Sequence, residues 1–70
     1  MSERPEKNLV LKRVRQESGK SLRQLAKELG VHWSTVSYWE RNIKVPRDKN
    51  KIKLANIFGM TSDELFKEDK

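Results

Sequence analysis

The chain has no cysteine and a single histidine, His32. A disulfide framework and a zinc site built on thiolates are therefore excluded. A lone imidazole also lacks the convergent partners that metal binding or acid–base catalysis requires. Three glycines are present, and none belongs to a phosphate-cradling loop. A reactive carboxylate pair would find no burial in so lean a chain. Enzymatic activity, a cofactor and a metal are accordingly not expected. No apolar run approaches the ~18 residues needed to cross a bilayer, and Met1 to Lys7 lack the apolar core of a signal peptide. The expected setting is the cytoplasm, with no membrane partner.

Seventy residues, of which 34% are apolar and 37% charged, make one small domain, residues 1–70, with a thin core. The apolar residues recur at helical spacings, which separates the chain from a disordered one. Sixteen Lys and Arg against ten Asp and Glu leave a formal charge of +6. That balance suits a polyanionic partner, although charge alone serves solubility equally well.

Five short helices follow from the periodicity. The first spans about Pro5 or Asn8 to Glu17, with Val10, Leu11 and Val14 on its apolar side, and Gly19 suits a left-handed cap after it. Ser21 starts the second in a capping box with Gln24, and Leu22, Leu25, Ala26 and Leu29 form its stripe until Gly30 ends it. A third runs from about Trp33 to Arg41 or Asn42, and Pro46 closes the segment after it. Asp48 is placed as cap of a fourth, in which Ile52, Leu54, Ala55, Ile57 and Phe58 point inward. After Gly59, Thr61 to Glu64 read as a second capping box opening a last helix that buries Leu65. The ends, 1–6 and 67–70, are expected to be flexible.

The segment GVHWSTVSYWERN, residues 30–42, holds three of the five aromatic residues. At about 100° per residue with Trp33 at zero, Trp39 falls near 240°, Val36 near 300° and Ile43, if the helix reaches it, near 280°. That side is core. Ser37 near 40°, Arg41 near 80°, Ser34 near 100° and Tyr38 near 140° make a second arc, bordered by Trp33. Packing does not require such a mixture of hydroxyls, a cation and flat rings. Two short helices meeting in a tight turn, the second with a polar and aromatic outer arc, describe a helix-turn-helix over about 21–42. The second helix of such a unit fits the DNA major groove, where hydroxyls can reach base edges and a ring can pack on a thymine methyl.

The run LKRVRQESGKSLRQLAKELGVHWSTVSYWERNIKVP, followed by IKLANIFGMTSDELF, resembles the Cro/XRE-type helix-turn-helix family of phage and bacterial repressors. The resemblance covers nearly the whole chain and rests on the order and spacing of several short motifs. It implies an all-α, lambda-repressor-like bundle of five short helices that binds double-stranded DNA as a transcriptional regulator. A repressor acting as a homodimer on an inverted-repeat operator is the expected form. It further implies that Arg15 and Glu40 form a structural ion pair, and that Trp33, Ser34, Ser37 and Tyr38 are base-contact candidates. Ser21, His32, Arg41, Asn42, Lys44 and Arg47 are candidates for the DNA backbone or minor groove.

The chain departs from the family at three positions. Leu22 stands where many members carry a DNA-contacting Gln, and is expected to pack. His32 takes the place of a Ser, Thr or Asp cap, which leaves the third helix's first turn less well held or lets the imidazole meet a phosphate. Asn42 replaces a Gly, and Asn tolerates the left-handed conformation better than most residues. A rival reading is a protein-interaction module, such as an antitoxin or an anti-regulator's target, with Trp33 and Tyr38 on a polypeptide partner.

Overall fold

A computed structural model describes residues 8–69. Five helices occupy the described residues: α1 Val10–Glu17, α2 Leu22–Leu29, α3 Trp33–Glu40, α4 Asp48–Phe58 and α5 Ser62–Leu65. The fold is all-α. A start of the first helix at Pro5 and the expected flexibility of 1–6 lie outside the described residues, as does Lys70.

Local chemistry sets most helix boundaries. The Ser21 hydroxyl accepts from the Gln24 N–H at 3.0 Å, while the Gln24 side chain accepts from the Ser21 N–H at 2.8 Å. Two otherwise unpaired backbone donors are thus satisfied at the start of α2. Thr61 makes one half of that arrangement for α5, its hydroxyl accepting from the Glu64 N–H at 3.2 Å. At the start of α4 the cap position falls to Arg47, without a side-chain cap, and Asp48 is the first helical residue. The expected Asp48 cap is therefore corrected by one position. Its carboxylate still lies in the first turn, where the helix dipole favours negative charge.

Every helix contributes to one core: Leu11 from α1; Leu25, Ala26 and Leu29 from α2; Val36 and Trp39 from α3; Leu54 from α4; Leu65 from α5. Each fully buried leucine stabilises the fold by about 1.5–3 kcal/mol relative to exposure. Leu9, just before α1, joins this core and is almost inaccessible.

Two residues assigned inward are exposed, Ile43 at 57% and Ile52 at 62%. For Ile43 the cause is the end of α3 at Glu40, followed by a turn in which Asn42 has φ 60°. The wheel that put Ile43 beside Trp39 stops applying there. Ile52 stands two residues, about 200°, from the buried Leu54, so one face of α4 cannot bury both.

Residues 67–69 lie against the start of α1. The Val10 N–H donates to the Lys67 carbonyl and the Asp69 N–H to the Asn8 carbonyl, each at 2.9 Å, and Leu9 pairs with Glu68 in an isolated antiparallel bridge. Arg13 Nε adds an ion pair to Asp69 at 2.9 Å. Backbone pairing beside the buried Leu9 thus satisfies polar groups of residues 67–69 against the start of α1.

Candidate nucleic-acid interface

The α2–turn–α3 unit is held by backbone geometry at one end and by a buried ion pair at the other. Gly30 has φ 73°, and its N–H reaches the Lys27 carbonyl at 3.2 Å while the Val31 N–H reaches the Ala26 carbonyl at 3.0 Å. The left-handed glycine turns the chain within three residues, a conformation that costs other residues about 1–2 kcal/mol.

His32 then caps α3. Its Nδ1 accepts from the Ser34 N–H at 3.2 Å and lies 2.7 Å from the Ser34 Oγ. The imidazole therefore does the work of the usual Ser, Thr or Asp, and the expectation of a poorly held first turn is corrected. An accepting Nδ1 places the proton of the neutral ring on Nε2, an assignment that follows from these hydrogen bonds. The Ser34 hydroxyl, a base-contact candidate, is thereby held beside the His32 ring.

At the other end, Arg15 Nε of α1 donates to Glu40 Oε2 of α3 at 2.6 Å, and its Nη2 donates to Oε1 at 3.3 Å. The Arg15 Nη1 donates to the Lys20 carbonyl at 2.8 Å, and the Leu9 N–H donates to the Glu40 carbonyl at 2.9 Å. Both charged side chains are buried. Two parallel bonds from a planar guanidinium fix orientation as well as distance, so the C-terminal end of α3 has a set position relative to α1.

On the outward side, Trp33 is 39% exposed, which separates it from Trp39 at 3%. The Trp33 ring is flanked by the His32 ring, centroids 5.5 Å apart, and by the Arg23 guanidinium 5.9 Å from its centroid. Tyr38 is half-buried, with the Arg41 guanidinium and the Lys44 ammonium each 5.4 Å from its ring. Such cation–ring contacts are worth about 0.5–1 kcal/mol at exposed sites. They hold each aromatic against positive charge, so flat surface and cations are presented together.

Of the remaining candidates, Ser37 is half-buried on the same helix. Ser21 is exposed but its oxygen serves the capping box. Asn42 occupies the left-handed turn after α3, and Arg47 is exposed at the start of α4. Leu22 is partly buried and packs against the core. With Ser21, Arg23, Trp33 and Arg15 it lines an open cleft between the first turns of α2 and α3. Arg23 was not among the sequence candidates. The available signal was its place one turn before Lys27 on the polar face of α2, two like charges with no acid between them on that face.

Among the described residues, no group of three or more His, Cys, Asp or Glu could hold a metal ion, and no helix is long and apolar enough to cross a membrane. A family model described as helix-turn-helix matches residues 11–65, from the second residue of α1 to the last of α5. No curated protein and no solved structure matches the chain.

Proposed function

The chain belongs to the Cro/C1-type helix-turn-helix family, and from that premise we propose that it is a transcriptional repressor that places α3 in the major groove of a specific operator. The family match supports a DNA-binding transcriptional regulator. The single observation that carries the finer reading is the division of α3. Val36, Trp39 and Glu40 are buried, whereas Trp33, Ser34, Ser37 and Tyr38 keep accessible surface. The major groove admits one helix, and base edges there offer donors, acceptors and thymine methyls to hydroxyls and rings.

Arg41, Lys44 and Arg47, following the helix, are the charges that would meet phosphates and fix register, with Asn42 in the turn between them and Ser21 and His32 at the starts of α2 and α3. Two copies on an inverted repeat would set their recognition helices one DNA turn, about 34 Å, apart.

Selection of bound sequences from a random duplex pool tests this directly. A repressor of this kind recovers one site with two-fold symmetric half-sites. Recovery of an asymmetric single half-site would remove the dimer. Recovery of no sequence, together with loss of a polypeptide partner on replacing Trp33 and Tyr38 by Ala, would favour a protein-interaction module instead.

A further inference from the structure

Four large apolar side chains are exposed among the described residues, and of these only Trp33 belongs to the recognition helix. The other three, Ile43, Val45 and Ile52, follow it closely in sequence, at 57%, 67% and 62% exposure. Pro46, which is buried, anchors the segment that carries Ile43 and Val45. Two residues later α4 starts, and Ile52 stands about 6 Å of rise beyond its first residue, Asp48. The three side chains thus cluster around the N-terminal end of α4.

Positive charge surrounds them. Lys44, Arg47, Lys49, Lys51 and Lys53 lie in the same stretch, with Asp48 as its one acid. Arg47, Lys49, Lys51 and Lys53 form no ion pair among the described residues. On α4, Lys49, Ile52, Lys53 and Asn56 are exposed and stand at i, i+3, i+4 and i+7, which makes them one helix face. Phosphates would meet the cations, but the DNA backbone has no apolar surface to cover Val45 and Ile52. A second copy would cover them, yet a two-fold contact sets the same patch against itself, with one acid against five cations on each side. The alkyl groups and the charges together fit a chain that carries both apolar side chains and carboxylates.

We propose that the exposed face of α4, with the preceding segment 43–45, docks an acidic polypeptide segment, its apolar side chains on Val45 and Ile52 and its carboxylates on Lys49 and Lys53. Opposite charge steers the encounter, and the apolar contacts select this partner over a plain polyanion. The surface is separate from Trp33 and Tyr38, so docking leaves the outer arc of α3 uncovered. DNA is nevertheless excluded, because Lys44 and Arg47 border the patch and are the charges assigned above to phosphates. The exclusion rests on the DNA-binding reading, whereas the docking does not. Such a partner is an antagonist that releases the protein from its operator without touching the base-reading face.

The probe is a short synthetic peptide in which Glu and Leu alternate, compared with one in which Ser replaces every Leu. On titration of the full chain with the Leu peptide, amide NMR shifts should move in residues 43–56 and stay in place in α2. Val45→Ser/Ile52→Gln should bind the Leu peptide at least about tenfold more weakly, with melting and duplex affinity close to wild type. Lys49→Gln/Lys53→Gln should bind it several-fold more weakly and with less dependence on salt. The Leu peptide should displace the wild type from the selected duplex, and at the same concentration leave Val45→Ser/Ile52→Gln bound.

Equal binding of the Leu and Ser peptides, or undiminished binding by Val45→Ser/Ile52→Gln, overturns the docking site. Sedimentation that finds wild-type self-association, lost in Val45→Ser/Ile52→Gln, gives the face to a second copy and overturns it as well. A Leu peptide that binds alongside the duplex overturns the antagonist role. A wild type without duplex affinity overturns the DNA-binding reading and the exclusion with it, while the peptide titration still decides the docking site.

Discussion

The Arg15 guanidinium and the Glu40 carboxylate meet at 2.6 Å, and this buried contact sets the end of α3 against α1. The sequence distance between them is large, yet their energetic fates are joined. Removing one partner leaves the other charge buried without compensation, at a cost of about 3–5 kcal/mol. Glu40→Ala should therefore leave a domain of this size largely unfolded at 25 °C. The double replacement Arg15→Met/Glu40→Leu, of similar volume, should recover most of the loss. Urea denaturation of the three proteins checks this, and equal stability of the single and double variants would sink it.

The capping role of His32 predicts a graded series. His32→Ala removes the acceptor for the Ser34 N–H and should lower stability by about 1 kcal/mol. His32→Asp restores an acceptor and adds negative charge at the helix start, so it should match or exceed wild type. Thermal unfolding of the three distinguishes a cap from an unattached surface ring, for which all would melt together.

Gly30 predicts a backbone effect without a packing effect. Beyond the adjoining backbone, no atom lies within 4 Å of the position a Cβ would take, so Gly30→Ala meets no tertiary clash and loses through its φ of 73°. The expected cost is about 1–2 kcal/mol. Gly30→Asn should lose less, because Asn enters the left-handed region more readily. Chemical denaturation that ranked the two variants in the opposite order would contradict this origin.

Trp33 and Tyr38 predict a loss of recognition without a loss of fold. Trp33→Ala and Tyr38→Ala each remove a partly exposed ring with its cation contacts and should cost about 0.5–2 kcal/mol of stability, leaving the fold intact. Each should relax base preference at one or two positions of the site, by about 1–3 kcal/mol per position. Replacing the buried Trp39 by Ala should behave differently, costing about 3–5 kcal/mol of stability. Parallel melting curves and base-substitution binding profiles separate the three.

Much of the fold was legible because its boundaries are written locally. Ser21 with Gln24, Gly30, Gly59 and Thr61 each act within one helical turn, and short-range spacing is enough to read them. The split between Trp39 and Trp33 was legible for the same reason, since both lie inside one regular helix. Ile43 was misplaced because helical angles were carried past the point where Asn42 turns the chain. Ile52 was counted by its apolarity when its angle from Leu54 already put it outside.

Residues 67–69 were unreadable for a different reason. Their order depends on backbone hydrogen bonds to residues 8–10, at the far end of the sequence. Of the interface, the side chains on α3 could be found by angle alone. Arg23 carried only the weaker signal of its place before Lys27, because its relation to Trp33 exists only once the turn at Gly30 folds α2 beside α3. His32 was legible as standing at the cap position, but that its ring supplies the cap depends on the contact with Ser34.

The most direct measurement is the affinity of the wild-type protein for the duplex recovered by selection relative to a scrambled duplex of the same length and composition, at moderate salt. A repressor reading bases with α3 should prefer its site by about 10³-fold or more, with both affinities falling as salt rises. Equal affinity for the two duplexes at every salt concentration would contradict sequence-specific recognition by this helix.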